Sequence, residues 1–467
     1  MHRWCICALA PLVTALAACR PSPVGDVSWP EARPLGAALE AYRPPAAGQG
    51  DAIELPDDPT GDLSLADAMA LALLRNPSLR AFAYDVRAAE ARILHAERLP
   101  NPEFEAEVEN IAGSGAFEGI DAAEVTLSLA QTLPLGGDIQ RRRERAGHEA
   151  ALAGWDYEAA RVEVLTDVTR RYVEVLVAQR ELDAAREALS LAEQVRDLTH
   201  RRVEAGDAAP IELPRTAVPV IAARVEAARA QRAVASARRR LAVTWGQTEP
   251  GFGELHGDLD AIAPVPALAA LRRHLDRHRS VAGWASELGA RRAAAHVARA
   301  EAAPDLTARL GYRFDNDTDD SALVLGVALP LPLFDRRTDD IAATRQDIAA
   351  AHQRQAAARQ RAAMLLAEAH AQLIDAHELA TAVRDEALPA AGEAFDATRL
   401  AFERGELTFI DVIDAQRTLI DLRGRYIAAL RAYHTAAAEV EGLIAAPIAS
   451  IDVTEPSHDQ QTGDALP

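Results

Sequence analysis

Few side chains in this chain combine the types and spacings that chemistry needs. Asp411 and Asp414 are three residues apart, so a helix would place both carboxylates on one face. Like charges held close raise one another's pKa and favour bound cations. Thr408 stands three residues before Asp411, the spacing of a capping box, and Asp414 would lie in a first turn where negative charge is favoured. Glu103, Glu105, Glu107 and Glu109 recur at every second position, which on a strand puts four carboxylates on one face. Arg309 and Arg313 keep the same parity in a later segment. His274 and His278, spaced i and i+4, could share a metal, but a single HxxxH is a weak signal and the pair reads as a solvated helix face. His370 and His377 are two turns apart and read as packed or solvated side chains. Beyond the first residues only Met69 and Met364 offer thioethers, too few for a copper site. No metal site is expected, and no P-loop, nucleophile elbow, dinucleotide fingerprint or HExxH motif points to an enzyme.

The leading residues carry an export signal. Arg3 supplies the positive end, and the apolar run from Ile6 to Ala18 falls short of the ~20 residues a helix needs to span a bilayer. The run closes on Leu16-Ala17-Ala18-Cys19, which is similar to a bacterial lipobox. In that class of signal the cysteine is acylated and becomes the mature N-terminus, and several acyl chains give stable anchoring where one is marginal. Cys5 and Cys7 leave with residues 1–18, so no disulfide is expected, and no cofactor other than the lipid on Cys19.

Composition narrows the class. The chain has 467 residues, 49% hydrophobic and 26% charged, with only 4% aromatic. An Ala-rich apolar set with Arg, Glu and Leu favours long helices over globular cores. A formal net charge of -20 argues against nucleic acid, which needs clustered Lys and Arg. An acidic lumen or surface attracts cations instead.

The elements that must position these residues follow from periodicity. Residues 19–62, rich in Pro, Gly and Asp, read as a lipid-bearing tether. Helical pattern covers about 63–99, 136–246, 266–302 and 335–446, with a Gly/Pro break over 247–265, and 447–467 read as a disordered tail. Four segments alternate instead. Phe104, Ala106 and Val108 oppose the glutamates; Val125, Leu127 and Leu129 oppose Thr126 and Ser128. Leu306, Ala308, Leu310, Tyr312 and Phe314 oppose Thr307, Arg309, Gly311 and Arg313; Leu323, Leu325, Val327 and Leu329 oppose Gly326 and Ala328. These are half-buried strands of ~9–11 residues, the length that crosses a membrane in a barrel, forming hairpins over 102–133 and 304–333. Two ordinary soluble hairpins would show the same alternation.

The pattern also repeats. Leu133-Pro134-Leu135 matches Leu331-Pro332-Leu333, and Val203-Glu204-Ala205-Gly206 matches Phe402-Glu403-Arg404-Gly405. The chain therefore divides into one repeat over 63–265 and another over 266–446. Leu165, Val168, Tyr172, Val175, Leu182 and Leu189 form a heptad seam in a rod of roughly 100 Å. Pro389 should kink or joint the matching rod at 335–403. Four strands cannot close a barrel, and open edges are forbidden in lipid, so several copies must share one wall. Two, three or four copies give about 8, 12 or 16 strands.

This arrangement resembles the TolC-like outer-membrane factor family, and within it the CzcC-like branch serving cobalt–zinc–cadmium resistance pumps. The resemblance rests on RLPNPEFEAEVEN (98–110), LPLGG (133–137), RVEAGDAAPIE (202–212), PDLTARLGYR (304–313), ALVLGVALPLPLFDRR (322–337) and FERGELTFIDVIDAQRTL (402–419). It implies a mainly α protein with a membrane β-barrel: a homotrimer whose twelve strands sit in the outer membrane above a periplasm-spanning coiled-coil barrel. It also implies partners, namely a periplasmic adaptor and a proton-driven inner-membrane pump of the RND type. The duct itself does no chemistry.

By the same resemblance the periplasmic turns fall at Gly206 and Gly405, Asp411 and Asp414 ring the closed pore, and Glu212 bridges neighbouring helices at the tip where the adaptor docks. Phe402 replaces a tyrosine of better-known members, and Leu407 stands where an arginine bridge would be. Glu103, Glu105, Glu107 and Glu109 are expected to face the barrel lumen with Arg309 and Arg313. The rival readings are the same duct serving drugs or a secreted polypeptide, and a periplasmic coiled-coil scaffold.

Overall fold

The computed structural model describes residues 31–45 and 56–451. Cys19, the 1–18 signal and residues 452–467 lie outside the described residues. In chain order the elements begin with β1 (Gly61–Leu63), α1 (Leu65–Arg75), α2 (Pro77–Ala96), β2 (Glu103–Glu109), β3 (Glu124–Leu133), α3 (Asp138–Ala205) and α4 (Glu212–Ala242). They continue with β4 (Phe252–Leu255), α5 (Leu268–Arg272), α6 (Arg279–Ala282), α7 (Trp284–Ala300), β5 (Leu306–Asp315) and β6 (Asp320–Ala328). The last are α8 (Thr338–Ala382), α9 (Leu388–Glu403) and α10 (Phe409–Ile444).

Local chemistry sets the boundaries. The helical pattern at 63–99 is two helices, because Pro77 disfavours helical backbone at Asn76, which sits at φ -57°, ψ 119°. Asn76 instead caps α2, accepting from the Leu79 amide at 2.9 Å and donating to the Thr244 carbonyl at 2.6 Å. The pattern at 266–302 is likewise broken. His278 adopts extended backbone and bonds through Nδ1 to the Ser280 hydroxyl and amide, local bonds that compete with a helix.

The rods dominate. α3 runs 68 residues without interruption, ~100 Å at 1.5 Å per residue. Leu165, Val168, Tyr172, Val175 and Leu182 are buried, as the heptad seam requires, while Leu189 is only half-buried. Each fully buried leucine contributes about 1.5–3 kcal/mol through area removed from water. The second rod is jointed. A π-helical turn, Val383–Ala387, separates α8 from α9, and Pro389 lies just beyond it. Proline lacks an amide and crowds the preceding turn, and the wider turn accommodates it. Above the turn the rod buries Leu366, Leu373 and Ala380, seven apart; below it Phe395 and Phe402 are buried, one residue out of that phase.

The described residues form a layer four elements wide. The sheet runs β2-β3-β5-β6, antiparallel throughout. Next to it α2 packs on α3, α3 on α7 and α7 on α8; towards the far end α4 packs on α3, α3 on α10 and α10 on α8 and α9. One side edge is thus β2, α2 and α4, and the other is β6, α8 and α9.

Two assignments from sequence need correction. The stretch 19–62 is not a tether throughout. Leu35 and Tyr42 are buried, and Arg161 donates to the carbonyls of Arg33, Leu35 and Gly36. Gly61–Leu63 pairs in parallel with Phe252–Leu255 in a small second sheet. Prolines and glycines there fix a docked path instead of freeing the chain. The tail does not start at residue 447 either: Ile448 donates its amide to Glu441 at 2.9 Å, and Ile451 is 6% exposed.

Candidate functional site

The sheet presents two chemically opposite faces. One cross-strand row places Glu105 beside Ser128, Ser128 beside Gly311 and Gly311 beside Val324. Glu103, Glu107, Glu109, Thr126, Arg309 and Arg313 share that face by the two-residue period. Arg309 pairs with Glu105 at 2.7 Å, and Arg313 pairs with Glu124 while donating to Thr126. Thr126 and Ser128 are buried beneath these long side chains although they face away from the apolar side. Gly311 and Gly326 leave room for them: a Cβ at Gly311 would stand 3.1 Å from Ser128, and one at Gly326 would stand 3.6 Å from Arg309.

The opposite face carries Phe104, Val108, Leu127, Leu310, Tyr312, Leu323, Leu325 and Val327, all exposed, with Leu325 at 75%. Such a contiguous apolar surface marks a membrane or protein contact. Among the described residues, the outer edges of β2 and β6 pair with nothing. No helix among the described residues is long and apolar enough to cross a membrane.

At the far end the two predicted turns have the same geometry. Gly206 and Gly405 adopt φ of 82° and 79°. In each, the glycine amide bonds three residues back and the next amide five back: Gly206 to Val203 and Asp207 to Arg202, then Gly405 to Phe402 and Glu406 to Ala401. This double bond pattern ends a helix with a left-handed residue, which glycine adopts without a Cβ clash. The duplication seen in sequence is therefore a duplication of hydrogen bonds.

A residue the sequence reading overlooked joins the turns. Arg202, in the last turn of α3, donates to the Phe402 carbonyl at 3.0 Å and to the Asp207 carbonyl at 3.3 Å. Its guanidinium lies 4.5 Å above the Phe402 ring, which is 1% exposed. Among so many arginines, nothing in the spacing distinguished it.

Asp411 accepts hydrogen bonds from the Thr408 amide at 2.8 Å and the Thr408 hydroxyl at 2.6 Å. Those bonds, the hydroxyl foremost, lower the Asp411 pKa below the usual carboxylate range. The capping role is thus real, and the free side of the carboxylate still faces outward, as does Asp414. Val412, Gln416 and Leu419 turn inward on the same helix. Glu212 begins α4, half-buried, and among the described residues no cation pairs with it. The structure holds both turns together, but it sets no ring of acids within one chain.

The histidine pair does not share a helix face: His274 and His278 flank a single 3-10 turn, Leu275–Arg277. Burial, then Arg277 and Arg273, lowers the His274 pKa. His370 is buried with Nε2 on the Pro266 carbonyl at 2.8 Å, and His377 packs against Tyr433. Among the described residues no three His, Cys, Asp or Glu side chains gather as a metal site would require.

Comparison with known proteins agrees with this geometry. The chain is 31% identical over 417 residues to the cobalt-zinc-cadmium resistance protein CzcC of Cupriavidus metallidurans, covering 88% of this chain and 98% of that one. It is 27% identical to the nickel-cobalt-cadmium resistance protein NccC of Alcaligenes xylosoxydans xylosoxydans, over 63% of this chain and 65% of the relative. Among solved structures, the channel-forming CusC superposes with a TM-score of 0.69 at 17% identity, covering 87% of this chain and 98% of CusC. A membrane protein from Pseudomonas aeruginosa gives 0.68 at 22%, covering 87% and 99%. The fold is therefore TolC-like. Residues 68–247 and 270–446 match the family described as outer membrane efflux protein, and the chain belongs to that family, whose place is the outer membrane.

Proposed function

We propose that three copies of this chain close into one passive exit duct that carries heavy-metal cations out of the cell. The observation that bears most weight is the four-stranded sheet, apolar on one face, charged on the other and open at both edges. Open edges cannot persist in lipid, and copies joined β6 to β2 leave none. The layer edges formed by α4 and by α8 with α9 meet across the same seams. The charged face then lines the lumen, with Glu103, Glu107 and Glu109 as fixed negative charge and Glu105 offset by Arg309.

In this reading Gly206 and Gly405 form the periplasmic tip, which docks an adaptor protein linked to a proton-driven inner-membrane pump. Asp411 and Asp414 from three copies ring the constriction, repelling anions and holding divalent cations. Glu212 contributes to the contacts between helices at that tip. Cys19 carries the lipid that anchors the mature chain. Cobalt, zinc and cadmium are the favoured cargo because CzcC, which this chain matches nearly end to end, is named for resistance to them.

The test is assembly and conduction. Protein extracted in detergent should cross-link as a trimer and form pores in planar bilayers. Its genetic removal should sensitise cells to cobalt, zinc or cadmium. A monomer soluble without detergent that forms no pores means a scaffold. Pores with unchanged metal tolerance assign the duct to another cargo.

A further inference from the structure

A buried, fully paired charged couple on α3 serves residues 33–36. Arg161 is 2% exposed and Glu158 4% exposed. Arg161 Nε donates to both Glu158 oxygens at 3.1 Å. Nη1 donates to the carbonyls of Leu35 at 3.0 Å and Gly36 at 3.4 Å, and Nη2 to that of Arg33 at 3.0 Å. Glu158 accepts the Arg33 amide at 3.1 Å. Apart from their bonds to each other, the two side chains thus address backbone groups of one short stretch. Its Leu35 amide then bonds to the Ala445 carbonyl at 3.1 Å, linking the stretch docked on α3 to the end of the last helix. Gly36 stands at φ +64°, where an added Cβ would meet Leu165 at 2.7 Å.

Distance gives this docking a consequence. Arg161 stands about 35 Å along α3 from Asp138, where the rod leaves the sheet. The stretch from Cys19 to Arg33 spans at most ~50 Å when fully extended. A lipid on Cys19 and a docked Arg33 are therefore compatible, but with little chain to spare.

We propose that the Glu158–Arg161 pair is a docking socket for residues 33–36, which turns the acyl anchor into a short tether holding the rods at a fixed depth below the membrane. This rests on the reading of Cys19 as acylated. The socket selects a turn of backbone through a fan of donors and one acceptor, with Gly36 required for close approach. The tether works by covalent length: a chain shorter than the drop from membrane to socket cannot satisfy both ends.

The experiment uses the full chain with Leu35→Cys as a thiol probe, since no other cysteine follows Cys19. Maleimide labelling in native membranes should be slow while the segment is docked. Deleting residues 22–27 leaves a reach of at most ~29 Å. Labelling should then rise ~tenfold or more, and adding Cys19→Ser to the shortened chain should restore slow labelling. Gly36→Ala and Arg161→Ala should each expose the probe at full tether length, the first without touching the charged pair. Fast labelling at full length overturns the socket. Slow labelling in the shortened, acylated chain overturns the length limit. A fatty-acid label that fails to enter the full-length protein overturns the Cys19 reading, and the tether with it, while leaving the socket result legible.

Discussion

Arg202 and Phe402, at the ends of two separate rods, are joined twice: by a hydrogen bond of 3.0 Å to the carbonyl and by a guanidinium 4.5 Å above the ring. The phenylalanine offers no hydroxyl, so its backbone and its π face do the joining. Arg202→Ala should cost about 1–2 kcal/mol of stability. It should also raise single-channel conductance in planar bilayers, as the two turns part. Arg202→Lys keeps the charge but not the flat stacking surface and should fall between. Unchanged conductance in the alanine variant would show that the turns are held elsewhere.

Asp411 gives a pH dependence with a definite sign. Its carboxyl pKa is lowered in the folded chain, chiefly by the Thr408 hydroxyl. Its contribution to stability is therefore present above the ordinary carboxylate pKa and is lost as pH falls through the lower folded value. Block of the pore by divalent cations should persist into acid in the parent protein. In Thr408→Ala the pH at which block is lost should move up, because one donor to Asp411 is gone. Titrating block against pH in both proteins decides this.

Asp138 has the opposite sign. It is 7% exposed, with Oδ1 unpartnered, and burial followed by Asp305 raises its pKa. Stability from its protonated form is fully present below the ordinary carboxylate pKa and is lost as pH rises through the folded value. Asp138→Asn should therefore leave the melting temperature at pH 4 unchanged and raise it by about 2–4 °C at pH 7. An equal shift at both pH values would mean that packing, not charge, is responsible.

The outward face of β6 tests the lipid contact. Leu325→Arg should cost about 2–4 kcal/mol if the residue sits near the bilayer midplane. It should deplete the membrane-inserted oligomer, measured by heat-resistant migration on gels. Ala322→Ser, on the opposite face, should be tolerated.

Much of this was legible in the sequence because the signals were local and periodic. The parity of Glu103 to Glu109 and of Arg309 and Arg313 fixed a shared face, and the register bears it out. Gly206 and Gly405 announced their turns through left-handed backbone, and Thr408-x-x-Asp411 announced its cap. What stayed hidden lacks a local signature. The path of residues 33–45 is decided by Arg161, Leu73 and Arg87, far along the chain, so its prolines and glycines read as slack. β1 and β4 are too short for alternation to register. Arg202 is one arginine among many on a charged rod. The phase slip at Val383–Ala387 leaves a mark only once burial of Leu366, Leu373, Phe395 and Phe402 is known.

That slip has a mechanical corollary. One surplus residue in an ordinary helix would turn everything beneath it by about 100°, the angle of a single helical step, and the wider π turn absorbs it, so that Phe395 and Phe402 stay buried. The lower rod, the Gly405 turn and the acids after it thus keep their aim through a match between residue count and turn width, as well as through the contacts of Phe395 and Phe402. A one-residue deletion inside Val383–Ala387 would let that turn close to an ordinary α turn and set Phe395 and Phe402 on the seven-residue repeat of Leu366, Leu373 and Ala380, still facing inward. A one-residue loss there should therefore be better tolerated than a one-residue loss lower in α9, where no wide turn absorbs the change.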